Sequence, residues 1–314
     1  MLKYVLRRLA FVGLTLLVSS ILIFVATQVL PGDVAQMILG RFAAPAALEN
    51  LRQELGLDQP LITQYLTWLG NFVTGDWGMS LSVKEPVAPL IGARLANSAM
   101  LAAMAFAIYV PGGIILGLIA ALCRNKWPDH VISVGSLSLI GLPEFVTGII
   151  LISVFSLTLK WLPASSAISP GAGFIEAFPR LILPAVTAAV VSLAYITRMT
   201  RASTVENLHA DYVRTAYLKG LSSSTVLFRH VLRNALLPTV TVTAISVGWL
   251  MGGLVITEAL FNYPGLGRLL LFAIQRRDLP LIQATTLLLA AIFCLANLAA
   301  DFLYAYLNPK IRYQ

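Results

Sequence analysis

The stretch "LANSAMLAAMAFAIYVPGGIILGLIAALC", Leu95–Cys123, runs for 29 residues without a charged side chain. At about 1.5 Å per residue, a helix of this length exceeds the roughly 30 Å hydrocarbon core of a bilayer. Hydrocarbon offers no partner to bare peptide groups, so such a run must be helical where it crosses. Leu9–Gly32, Leu181–Thr197, Asn234–Thr257 and Leu279–Ala300 are also uncharged, and His130–Leu159 is interrupted only by Glu144. The sequence therefore predicts an all-α integral membrane protein, one domain over residues 1–314. Its six spans are expected at about 9–30, 96–123, 130–159, 180–198, 236–257 and 279–306, with the fourth extended by its flanks.

Composition agrees. The chain is 58% hydrophobic and 11% charged, where soluble domains carry about 25% charged residues. Cys123 and Cys294 lie too far apart, in apolar or cytosol-facing sequence, to suggest a disulfide framework or a metal site. The opening "MLKYVLRR" has the charge of a signal peptide. The apolar run after it is too long, and no small-residue cleavage site follows, so it reads as a retained helix.

Lys and Arg set the orientation. Six spans put both termini on one side, with residues 124–129 and 198–233, and these segments hold 13 Lys and Arg. The longer opposite segments, 31–94, 160–180 and 258–278, hold 9. Both termini are therefore expected in the cytoplasm. The pI near 9.7 follows from this topology and does not call for a nucleic-acid partner. The long outer loop 31–94, between the first and second spans, carries two short helical patterns. "PAALENLRQELG" ends at Gly56. "QPLITQYLTWLGNFV" has Pro60 near its first turn and an apolar set of Leu61, Tyr65, Leu66, Trp68 and Leu69. This second pattern reads either as a helix on the bilayer surface or as a docking surface or lid.

The inner loop, about 199–235, has helical order of its own. Ser203 and Glu206 fit a capping box, and Val205, Leu208, Tyr212 and Ala216 share one face. Lys219 suits a helix C-terminus, and Gly220 supplies the left-handed residue that ends one. Ser222–Ser224 offer a cap for a second helix, with Pro238 expected to bend or break the chain before the fifth span.

"DYVRTAYLKG" followed by "RHVLRNALLP" resembles the cytoplasmic coupling loop of ABC-importer permeases, in the dipeptide, oligopeptide and nickel branch. The broader pattern of those permeases is Glu-Ala-Ala, three residues, then Gly. Here Arg214-Thr215-Ala216 stands in for the triplet, with Gly220 at the matching place. "MLKYVLRRL", "VLPGD", "LGLDQPL", "GDWGMSL", "GLPEF", "KWLP", "FNYPGLGRLLL" and "NPKIRYQ" extend the similarity along nearly the whole chain. The resemblance implies a bacterial inner-membrane subunit working with a second, similar permease, two ATPase subunits and an external binding protein that delivers the ligand. It places ATPase coupling on Asp211, Tyr212, Arg214, Thr215, Ala216, Lys219 and Gly220. ATP and Mg would be used by the ATPases. The chain has no G-x-x-x-x-G-K-[ST] phosphate loop of its own, and no catalytic, cofactor or metal residues are assigned to it.

Two rival classes are weaker. A secondary transporter uses buried ionisable residues for coupling, and only Glu144, Glu258 and Asp301 qualify. Glu144 follows Pro143 and reads either as facing a water-filled path or as structural at a helix break. An embedded hydrolase would need a catalytic spacing that His130, His209 and His230 do not provide. For the ligand, a short peptide is preferred to a nickel chelate. The spans lack clustered metal ligands, whereas Ser192, Tyr195, Thr197, Thr241, Thr243 and Ser246, in the spans flanking the inner loop, offer a weakly polar passage, with Glu144 a further candidate for the path.

Overall fold

The computed structural model describes residues 2–29, 36, 39, 44–54, 56, 58–167 and 174–307. "NPKIRYQ", most of "VLPGD", and parts of the 31–94 and 160–180 loops lie outside these residues. The described chain is almost wholly helical, and its one strand-like contact is an isolated bridge between Met79 and Pro86. Five helices are long and apolar enough to cross a membrane, and a bent pair makes a sixth if it counts as one span. The chain divides into two compact units.

The first unit comprises residues 1–97 and 265–295. It holds α1 (Leu2–Val29), α2 (Pro45–Glu54), α3 (Leu61–Thr74), α10 (Leu266–Arg276) and the first turns of α4 (Val87–Leu122) and α11 (Leu279–Leu307). Pro60 opens α3 and left-handed Gly75 closes it. The apolar set expected on α3 divides between two surroundings. Tyr65 and Trp68 turn inward, packing around Phe24 of α1 with ring centroids 5.5 and 5.8 Å away. Tyr65 Oη also meets Ser20 Oγ at 2.8 Å. Leu61 and Leu66 stay exposed, as do Ile62 and Val73. A second core of Val87, Ile91, Leu266, Leu269, Ala273 and Leu281 joins α4, α10 and α11.

Asp278 fastens this core to the loop around the bridge. Its carboxylate accepts Ser80 Oγ at 2.5 Å, Ser82 Oγ at 2.6 Å and Ser82 N at 2.9 Å, and it caps Leu281 N at 3.3 Å. Burial raises the cost of ionising it, but these hydrogen bonds, with one from the Leu81 backbone, together outweigh burial and hold the carboxyl below its ordinary range.

The second unit comprises residues 98–264 and 296–314. It is built on α7 (Phe174–Leu208) and α9 (Leu232–Leu260), with the greater part of α4, α5 (Trp127–Gly141) and α6 (Glu144–Leu151). The helix of α6 continues as wider π turns, Ile152–Thr158. The residues expected to form the third span thus make up the bent pair, turned through 112° at Leu142–Pro143. Leu101, Ala105, Tyr109, Leu181, Ile196 and Leu254 fill its core. Glycines set the approach of α4 to α7. A Cβ on Gly113 would lie 2.6 Å from Ile196, and one on Gly117 2.6 Å from Thr200. This is the small-x-x-x-small spacing that lets membrane helices close up.

Two local expectations are corrected. Ser203 and Glu206 do not cap a helix start, because α7 runs unbroken to Leu208 and buries Ser203. Packing along α7 overrides the local capping signal. Pro238 does not break the chain into separate helices, since it lies inside continuous α9. Membrane helices tolerate Pro because the freed backbone groups are satisfied locally.

Asp278→Asn should lower the thermal midpoint of the detergent-purified protein through a loss of about 1–3 kcal/mol, with Ser82→Ala costing less. The native carboxyl titrates below the unfolded value near 3.9. The stabilisation is therefore complete above about pH 4 and is lost as pH falls through the lowered native value. Equal midpoints for Asp278→Asn and wild type at neutral pH would show that the clamp contributes nothing.

Candidate functional site: an exposed helix between two membrane helices

After α7 the chain turns at His209–Ala210 and forms α8 (Asp211–Leu218). Ala210 has extended backbone and no capping side chain. Tyr212 Oη donates to Asn207 Oδ1 at 2.6 Å instead, tying α8 to the end of α7. Thr215 Oγ1 returns to Asp211 O at 3.0 Å. Lys219 ends the helix and Gly220 takes φ +77°. The glycine N–H reaches Tyr217 O at 2.9 Å and Leu221 N reaches Ala216 O at 3.3 Å, so the last carbonyls are satisfied. Ser222 caps the next turn by accepting Thr225 N at 3.4 Å. Single-turn Ser223–Thr225 and π-helical Val226–Val231 then lead into α9.

Val213 and Ala216 are the buried residues of α8, packed on Val226, Val231 and Ala235 with Leu208 partly covering them. The inward face is therefore not the one drawn through Tyr212, because the break at 209–210 resets the helical phase. Tyr212 is exposed, as are Asp211, Arg214, Thr215, Lys219 and Gly220. Large apolar side chains lie open alongside: Leu218 at 81%, Phe228 at 69% and Tyr217 at 47% exposure. A helix held by two residues, with cations and bare apolar groups outward, is a surface shaped for a partner.

The residues suggested for a membrane path lie on α6, α7 and α9. Ser192 is buried in α7. Tyr195 packs edge-on to Trp249 at 5.3 Å. Thr197, Thr241, Thr243 and Ser246 each bond the carbonyl four residues back. Thr243 lines an apolar groove of about 310 Å³ with Phe106, Val110, Val240, Val247 and Ala300. Glu144 accepts a hydrogen bond from Thr257 Oγ1 and lies directly over Gly253, where a Cβ would collide with its carboxylate. Glu258 is buried and accepts Ser98 Oγ at 2.5 Å. Among the described residues no three His, Cys, Asp or Glu converge as metal ligands.

The structure adds pairings that the sequence reading missed. Asp129 binds Arg201 through Nε at 2.5 Å and Nη2 at 2.7 Å, and also accepts Asn125 N and Ser133 Oγ. Thr200 and Thr239 join α7 to α9 at 3.0 Å. Only Gly113-x-x-x-Gly117 left a local trace that could have been read.

Two family descriptions match the chain. "Binding-protein-dependent transport system inner membrane component" covers residues 113–313, and the N-terminal part of the same kind of membrane component covers residues 1–109. The glutathione transport system permease protein GsiC of Escherichia coli (strain K12) is 42% identical over 314 residues, the full length of both chains. The proteins of the same name from Shigella dysenteriae serotype 1 and Shigella flexneri serotype 5b match equally, at 42% over the full length of each. With two helices joined by an exposed, glycine-ended helix and a family match along almost its entire length, this chain belongs to the inner membrane components of binding-protein-dependent transport systems, the permeases of ABC importers.

Proposed function

We propose that this chain forms, with a second permease, the membrane pathway of an importer for small peptides of the glutathione class. The observation that carries the reading is 42% identity, without gaps in coverage, to permeases named for glutathione transport. The chain itself catalyses nothing and binds no cofactor. Two separate ATPase subunits hydrolyse MgATP, and an external binding protein hands over the peptide. A weakly polar, hydroxyl-bearing passage suits a peptide better than a bare metal ion, which needs several strong ligands to replace its water.

In this reading six spans cross the inner membrane, with the bent α5–α6 pair as the third, both termini in the cytoplasm and residues 31–94 outside. Asp211, Tyr212, Arg214, Thr215, Lys219 and the exposed Leu218 meet an ATPase, while Ala216 and Gly220 shape the helix that fits its groove. Glu144, Ser192, Tyr195, Thr243 and Ser246 lie on the helices that bound the pathway. Glu144 sits at the break beside Gly253, where small rotations change what its carboxylate faces.

Cysteines placed at Asp76 and Ser165, in a background lacking Cys123 and Cys294, should react with a membrane-impermeant thiol reagent in intact spheroplasts. One at Ser222 should react only after permeabilisation. Labelling of Ser222→Cys from outside would overturn the orientation.

Covering a large apolar side chain is worth about 1.5–3 kcal/mol. Leu218→Asp should therefore weaken association with the ATPases about tenfold or more. Gly220 has open space around it, so Gly220→Val acts through backbone strain alone, costing about 1–2 kcal/mol, while Gly220→Asn is better tolerated. Stimulated ATP hydrolysis by the reconstituted complex should fall for Leu218→Asp and Gly220→Val and largely persist for Gly220→Asn. Wild-type hydrolysis in the first two would remove α8 from coupling.

The substrate is tested with the four-component complex in proteoliposomes, supplied with its own binding protein and ATP. Uptake of labelled glutathione, competed by unlabelled glutathione and by short peptides, is expected. Uptake of chelated nickel with none of glutathione or di- and oligopeptides would replace the peptide assignment.

A further inference from the structure

A hollow of about 310 Å³ opens between α5 and α7, lined by Ser133, Val134, Leu137, Arg198, Arg201 and Ala202. Its depth in the bilayer follows from the chain. Arg180 and Arg198 bound the 17-residue uncharged part of α7, and the helical rise from one Arg to the other is about 27 Å, close to the hydrocarbon thickness. Arg198 thus stands at the boundary between hydrocarbon and headgroups. On the orientation proposed above, that boundary is the cytoplasmic one. Trp127, at the start of α5, is 76% exposed, as expected of an indole at the interface.

The charges in the hollow do not balance. Asp129 is consumed by Arg201, Ser133 and the Asn125 amide. Arg201 is neutralised by the same contact and keeps Nη1 without a partner among the described residues. Arg198 is exposed and has no ion pair or hydrogen bond among the described residues. One net positive charge therefore faces the hollow. From it an apolar track runs toward the membrane centre along α5, through Val131, Val134 and Leu137, each 47–63% exposed. A cation at headgroup depth, continuous with a bare aliphatic strip, matches a phosphate bearing an acyl chain. Basic hollows between membrane helices on the cytoplasmic side bind acidic lipid headgroups for this reason.

We infer that the hollow between α5 and α7 is a binding site for an anionic phospholipid, with its phosphate on Arg198 and the Arg201 edge and one acyl chain along Val134 and Leu137. The Asp129–Arg201 pair serves the site by holding the second guanidinium in place.

The test is native mass spectrometry of the detergent-purified complete complex after exchange with phosphatidylglycerol or phosphatidylcholine. This readout needs neither transport activity nor the proposed topology, so failure of those readings leaves it intact. Wild type should retain phosphatidylglycerol in preference to phosphatidylcholine. Arg198→Gln should lower retention about fivefold, the weight of one cation near an anionic surface, and Arg198→Lys should restore most of it. Val134→Trp, which fills the chain track and leaves every charge in place, should also lower retention. Excess inorganic phosphate should not displace the lipid. Unchanged retention in Arg198→Gln or in Val134→Trp would overturn the site. So would displacement by inorganic phosphate, which would make it a site for a free anion, or a crosslink from position 198 to the second permease, which would make it a protein interface.

Discussion

Hydrocarbon cannot hydrogen-bond, and this constraint governs how most polar groups within the helices are used. The hydroxyls of Thr27, Thr187, Thr197, Thr243 and Ser246 turn back to carbonyls four residues earlier in their own helices. The acidic groups within the helical bundle are likewise engaged: Glu258 by Ser98, Glu144 by Thr257, Asp129 by Arg201. An unpaired charge there would cost several kcal/mol. Few polar groups are left over, so the places where one stays open to the surface, such as Arg198 and the outward side of α8, stand out as sites of contact.

Close packing supplies the rest. Lipid tails are as apolar as leucine, so helices associate through fit rather than through exclusion of water. Gly113, Gly117, Gly148 and Gly253 each leave room that a neighbouring side chain fills. The filling group differs from place to place. Over Gly148 it is Leu260, over Gly117 Thr200, and over Gly253 the Glu144 carboxylate. A glycine can thus seat a charge beside a helix backbone as readily as a methyl group. The break at Leu142–Pro143 gains a fixed partner in this way.

How much of this was legible in the sequence depends on the range of the interaction. Uncharged runs mark the helices because burial in lipid acts residue by residue. Gly220 and Ser222 were legible because a left-handed turn and an N-cap are local chemistry. Ser203 and Glu206 misled for the converse reason, since a capping pattern inside a well-packed helix is simply overruled. The pairing of Asp129 with Arg201, 72 residues apart, has no local mark. Neither does Thr200 with Thr239. The hydroxyl-bearing residues proposed for a pathway were legible as polar, but their partners were not, and most of those hydroxyls bond their own helices.

The construction of α8 bears on how force would pass through it in the proposed coupling role. Eight residues are too few for a helix to persist alone in water. The segment owes its shape to the Gly220 turn, the Tyr212–Asn207 bond and the packing of Val213 and Ala216. Those two residues touch Val226, Val231 and Ala235, which belong to the lead-in of α9 and its first turn. Tyr212 holds the end of α7. A push on the exposed face of α8 is therefore delivered to two membrane helices at once, by packing on one side and by a hydrogen bond on the other. Thr200 and Thr239 join the same two helices further along. With a fixed link beyond the point of loading, α7 and α9 would turn together, and the displacement would appear in the membrane as rotation of a pair rather than bending of either helix.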